Sequence, residues 1–126
     1  MGPGVKGVFD TNILIDYLNG HSSAAAEINR HTDKIISRVT WMEVLVGVKK
    51  SSEEPPVRDF LGTFRTVDLS LVIVEEAIRL RRVMRIKLPD AIIYATAKIE
   101  TCNLLTRNTR DFGPTCADVV APYVIT

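Results

Sequence analysis

Apolar positions alternate between a strand-like and a helix-like spacing along the chain, and the changeovers mark out its elements. Residues 5–9 form a short apolar run, interrupted by Lys6 and Gly7 and stopped by Asp10-Thr11-Asn12. That is the pattern of a buried strand ending at a polar turn. Residues 13–18 predict a short helix closed by Asn19-Gly20, and Ser22 or Ser23 caps a second helix to about His31. Residues 34–37, centred on Ile35 and Ile36, predict a second strand. Thr40-Trp41-Met42-Glu43 has the S/T-x-x-E form of a capping box and predicts a helix to about Lys50. Residues 51–56 read as a loop ending in Pro55-Pro56, residues 57–62 as a helical piece, and residues 64–69 as a third strand. Ser70 caps a long helix to about Arg85, with Val74, Ala77, Ile78, Val83 and Met84 as its apolar stripe.

Residues 88–97 then form a helix that starts at Pro89 and is apolar on almost every side, a pattern that belongs in a core. It carries Asp90 at its mouth, and a charge at the rim of a core needs a partner. Residues 103–106 predict a fourth strand and residues 107–112 a polar turn. Residues 119–125 predict a last edge strand, where Pro122 is tolerated. Strands alternating with helices predict an α/β fold with a central, mainly parallel sheet and helices on both faces. In such sheets ligands sit beyond the carboxyl ends of the strands.

A chain of 126 residues fits one domain, residues 1–126, and 46% apolar with 25% charged residues is the balance of an ordered soluble protein. The net charge of +1 gives no strong basic or acidic character. Cys102 and Cys116 stand without a CxxC pair or histidines at ligand spacing, which argues against zinc or a disulfide framework. No signal-like leader or run of about 18 apolar residues is present, so a cytoplasmic location without membrane association is expected.

Four acids fall at corresponding places: Asp10 after the first strand, Glu43 after the second, Asp90 at the mouth of the buried helix, and Asp111 after the fourth strand. Each has a bland reading. Asp10 can be a helix cap, Glu43 the return partner of Thr40, Asp90 a favourable charge at a helix start, and Asp111 a turn residue. Together they weigh differently, because four carboxylates on one rim repel one another unless a cation joins them. Oxygen ligands without His or Cys select Mg2+ or Mn2+, which can activate water and stabilise attack at phosphorus.

With these residues in view the chain resembles the PIN domain, and within it the VapC-type toxin ribonucleases of bacterial toxin–antitoxin pairs. The resemblance lies in Phe9-Asp10-Thr11-Asn12, in Trp41 to Gly47 around Glu43, in Leu88-Pro89-Asp90-Ala91, and in Leu105 to Phe112. It implies a three-layer α/β/α fold and a Mg2+- or Mn2+-dependent endoribonuclease leaving 5′-phosphate and 3′-hydroxyl ends. Asp10, Glu43, Asp90 and Asp111 would be its metal-site and catalytic acids. Thr11 or Asn12 would orient Asp10, and Thr106 would hold water or metal ligands. Asn108 stands where many relatives carry an acid, and it would coordinate or hydrogen-bond without bringing charge. The resemblance also implies an RNA substrate, a cognate antitoxin and a homodimer.

Arg107 and Arg110, in the loop at the site, are candidate RNA contacts. Arg79, Arg81, Arg82, Arg85 and Lys87 form a dense basic run that reads better as a solvated helix face. Tyr94 and Trp41 read as packing residues, and His21 and His31 receive no role. Ile13, Leu14, Tyr17 and Leu18 suit either a partner surface or the core. Three other functions fit the residues less well. A phosphoacceptor receiver needs an acidic pair after strand one and a late lysine, but Asp10 stands alone and Thr106-Arg107 fill the lysine's place. A haloacid-dehalogenase-type phosphatase needs Asp where Asn12 stands. A non-catalytic PIN-like RNA-binding module would have lost acids that are present here.

Overall fold

The computed structural model describes residues 4–113 and 116–125. Its strands are β1 (Lys6–Phe9), β2 (Asp33–Ser37), β3 (Arg65–Val67), β4 (Asn103–Leu105) and β5 (Val119–Val120). They form one parallel sheet in the order β3-β2-β1-β4-β5, with Val8 opposite Ile35 on one side and Leu104 on the other. The helices are α1 (Thr11–Leu18), α2 (Ser22–Asn29), α3 (Arg38–Val46), α4 (Glu54–Leu61), α5 (Leu71–Met84) and α6 (Leu88–Ile99).

Strand alternation divides the core into two layers. Val8, Ile35 and Leu104 point to one face, where they meet Ile73, Ala77 and Leu80 of α5 and Ile93 and Tyr94 of α6. Phe9, Ile36 and Leu105 point to the other, against Ile13 and Leu14 of α1, Val44 of α3 and Leu61 of α4. Gly7 is needed in β1 for a steric reason: a Cβ there would come within 3.0 Å of the buried His31 ring. His31 itself is structural, with Nδ1 2.8 Å from the Glu27 carbonyl and its ring edge-on to Phe9.

Several local expectations are corrected. The capping box does not form, because α3 begins two residues before Thr40 and is capped by Ser37, whose hydroxyl accepts the Val39 N–H. Thr40 is buried inside the helix, and Glu43 is thereby released from any capping duty. The helix also ends at Val46, short of Lys50. Residues 51–56 are a 3-10 turn (Ser51–Glu53) running into α4, whose first turn accommodates Pro55-Pro56 because its N–H groups have no intrahelical partners. His21, rather than a serine, occupies the cap position of α2. The last strand is only Val119–Val120, and Pro122 lies beyond it. Ser70 does cap α5, accepting the Ile73 N–H at 3.3 Å. No helix among the described residues is long and apolar enough to cross a membrane.

Candidate metal and catalytic site

Strand order reverses at β1, since β2 and β3 lie on one side of it and β4 and β5 on the other. The crevice beyond the carboxyl ends of β1 and β4 is therefore the expected ligand site. Asp10 stands there. Its N–H still belongs to the sheet, donating to the Leu105 carbonyl at 2.9 Å, while its carboxylate caps α1 by accepting the Thr11 N–H at 2.7 Å. Across the crevice the Thr106 hydroxyl donates to the other carboxylate oxygen at 2.8 Å. The Thr106 oxygen in turn accepts the Asn12 amide at 2.9 Å and the Asn108 N–H at 3.0 Å. Asn12 accepts the Arg107 N–H at 3.2 Å. These bonds sew the start of α1 to the end of β4 around one buried carboxylate.

Asp10 is only 7% exposed. Burial raises its pKa to about 6, against the pull of the Thr106 and Thr11 hydrogen bonds, and the charges of Asp90 and Glu43 add to the rise. Asp90 sits half-buried in the first turn of α6. Its pKa is also raised by burial, then by Asp111 and Glu43, with Lys87 opposing. Glu43 is exposed and accepts the Thr11 hydroxyl at 2.6 Å, and that hydroxyl lies 3.1 Å from Thr40. Asp111, in the 3-10 turn Thr109–Phe112, accepts the Asn108 amide at 2.5 Å. Asp90 and Asp111 line a cavity of about 230 Å³ together with Arg85, Ile86 and Lys87.

Thus the structure places all four acids at the same end of the sheet and couples Asp10 to Asp90 and Glu43, and Asp90 to Asp111 and Glu43. Among the described residues, however, no three acidic, His or Cys side chains converge closely enough to hold one ion as they stand. The two exposed acids are turned toward Thr11 and Asn108. The donor chemistry nevertheless fits a hard divalent cation: the groups are all oxygens, and burial together with mutual repulsion makes the two less exposed carboxylates resist ionisation.

Arg107 is not the free cation that its place in the loop suggests. Its guanidinium grips Asp16 of α1 at 2.5 and 2.9 Å, and Tyr123 donates to the same carboxylate at 2.8 Å. Asp16 is a site-supporting residue missed in the sequence. Its signal was an acid inside an otherwise apolar helix, four positions after Asn12 and so on the same face. Arg110 is exposed in the Thr109–Phe112 turn. Ile13 and Leu14 are fully buried core residues, whereas Tyr17 and Leu18 are exposed, Tyr17 stacking on Phe60 with centroids 4.3 Å apart. Tyr94 is buried, edge-on to Phe112, with its hydroxyl donating to Asp118 at 2.5 Å. Trp41 lies under the guanidinium groups of Arg38 and Arg58.

A parallel α/β/α protein with an acidic rim at its switch point is the class these features define. The family model of the PIN domain matches residues 7–114, and the chain belongs to the PIN domain family. Among solved structures, a toxin–antitoxin complex from Klebsiella pneumoniae contains a chain 44% identical to this one. That match covers 95% of this chain and all of the other, with a TM-score of 0.89. VapBC2 from Rickettsia felis, bound to a promoter DNA fragment, matches at 21% identity and TM-score 0.75, covering 92% of this chain and 96% of that one. FitAcB from Neisseria gonorrhoeae matches at 21% identity and TM-score 0.76, covering 92% and 97%. The latter two share the fold. No curated protein sequence matches the chain significantly.

Proposed function

We propose that this PIN domain is the toxin of a toxin–antitoxin pair and cleaves RNA phosphodiester bonds with Mg2+ or Mn2+ held by Asp10, Glu43, Asp90 and Asp111. The observation that carries the reading is the carboxylate of Asp10, buried at the carboxyl end of β1 with the charges of Asp90 and Glu43 near enough to act on it, an arrangement that is costly unless a cation occupies it. Bound there, the cation would supply an activated water and offset charge building at the phosphoryl group. The chain's own contribution is orientation. Thr106 and the Thr11 N–H fix both oxygens of Asp10, Asn12 holds Thr106 in place, the Thr11 hydroxyl steers Glu43, and Asn108 steers Asp111.

The antitoxin is expected in an apolar groove of about 570 Å³ between α1, α3 and α4, lined by Tyr17, Leu18, Val44, Val48 and Phe60 among others. The 44% identical neighbour coming from a toxin–antitoxin complex supports that partner. Exposed Leu71, Val72 and Ile99 border a second depression, suited to self-association into a homodimer. The test is cleavage of RNA by purified protein. Asp10→Asn and Asp90→Asn should each abolish it while circular dichroism stays unchanged. Activity persisting in either variant, or in excess EDTA, would overturn the proposal.

A further inference from the structure

The basic run along the end of α5 and the turn into α6 is divided by the structure. Arg79 is spent on Glu76 at 2.6 Å, as Lys98 is on Asp118 and Arg107 on Asp16. Arg85 and Lys87 form no salt bridge among the described residues, yet both line the cavity that holds Asp90 and Asp111. Ile86 between them is buried in the core and pins the turn, so two exposed cations flank one anchored residue.

Both positions go against local preference. Arg85 caps α5 in the left-handed region, φ 58 and ψ 30, where glycine or asparagine would avoid a cost of about 1 kcal/mol. Lys87 occupies the cap position of α6 without a side-chain capping bond, where Ser, Thr, Asp or Asn would be favoured and a cation opposes the helix dipole. A strained backbone at Arg85 and a cation set against the helix dipole at Lys87, on either side of Ile86 and on one cavity, are the kind of inconsistency found at functional sites.

We infer that Arg85 and Lys87 form a phosphate clamp that holds the RNA backbone beside the acidic rim. The inference rests on the nuclease reading above. Without such cations the approach of a polyanion to four carboxylates is repulsive. The pair supplies opposite charge on the wall of the cavity itself, whereas Arg81 and Arg82, one turn earlier on α5, do not line it.

The test is fluorescence anisotropy with a short, single-stranded, mixed-sequence oligoribonucleotide and the Asp10→Asn protein, which should hold RNA uncut. Arg85→Gln with Lys87→Gln should weaken binding about 10-fold or more, and lower the salt slope by about 1.4, at about 0.7 per lost phosphate contact. Arg85→Lys with Lys87→Arg should keep most of the affinity, which also shows that the turn still folds. Arg81→Gln with Arg82→Gln removes equal charge from the same run and should change affinity much less. Equal weakening by the two Gln pairs, or none from the Arg85 and Lys87 pair, overturns the clamp while leaving the nuclease reading intact. A parent protein that neither binds nor cleaves RNA overturns both.

Discussion

Removing the charge of Asp10 should alter the metal-free protein's stability in a pH-dependent way, because the fold holds that carboxylate against its preference. Its pKa stands at about 6 in the fold against 3.8 for the free side chain. A folded-state value above the unfolded one means the native state binds the proton more tightly. The group is therefore harmless below about pH 4, and stability falls as pH rises from there through 6, each tenfold difference in proton affinity being worth about 1.4 kcal/mol. Above pH 7 the accumulated penalty is about 3 kcal/mol.

Asp10→Asn removes this penalty but introduces a hydrogen-bond loss. The Thr106 oxygen already accepts two bonds, so its proton must go to residue 10, and the Thr11 N–H needs an acceptor there too. An amide has only one oxygen to serve both. The absolute stability change thus mixes two effects, whereas its pH dependence reports the charge alone. Urea unfolding of both proteins in EDTA should show the variant gaining about 2 kcal/mol on wild type between pH 4 and pH 7.5. A stability difference that stays flat across that range, or moves toward wild type as pH rises, would refute the reasoning.

Three other perturbations probe separate contacts. Arg107→Ala leaves the Asp16 carboxylate buried with Tyr123 as its one side-chain partner among the described residues and should destabilise the protein by about 2 kcal/mol in urea melts, the Arg's partial exposure softening the loss. Thr11→Val removes the hydroxyl that steers Glu43 and should weaken Mn2+ binding by about 10-fold in calorimetry, without loss of fold. Phe60→Glu places a charge in the groove between α1, α3 and α4. It should abolish co-purification with a co-expressed cognate antitoxin while leaving metal-dependent cleavage in place.

Much of this was visible in the sequence where a residue's role is local. Ser70 caps α5, Asp10 follows a strand directly, and α6 starts within a residue of Pro89. The alternation of Val8 with Phe9 and of Ile35 with Ile36 shows a sheet covered on both faces, because both members of each pair are apolar. What stayed hidden depends on distant partners. The 40–43 segment satisfies the capping-box pattern, yet packing starts α3 at Arg38 and hands Glu43 to Thr11, 32 positions away. Arg107 looks like a free cation until the fold brings Asp16 to it across 91 positions. Pro55-Pro56 resembles a loop only when the first turn of a helix is forgotten. The last strand ends at Val120 although its apolar pattern runs on to Ile125.

The central claim is that the rim at the end of β1 is a divalent-metal site built around Asp10 and Asp90, and calorimetric titration of the purified protein with Mn2+ tests it most directly. Wild type should bind saturably, with binding lost in Asp10→Asn and in Asp90→Asn, and weakened in Asp111→Asn. Absence of binding by wild type, or unchanged binding by the Asp10→Asn and Asp90→Asn proteins, would contradict it.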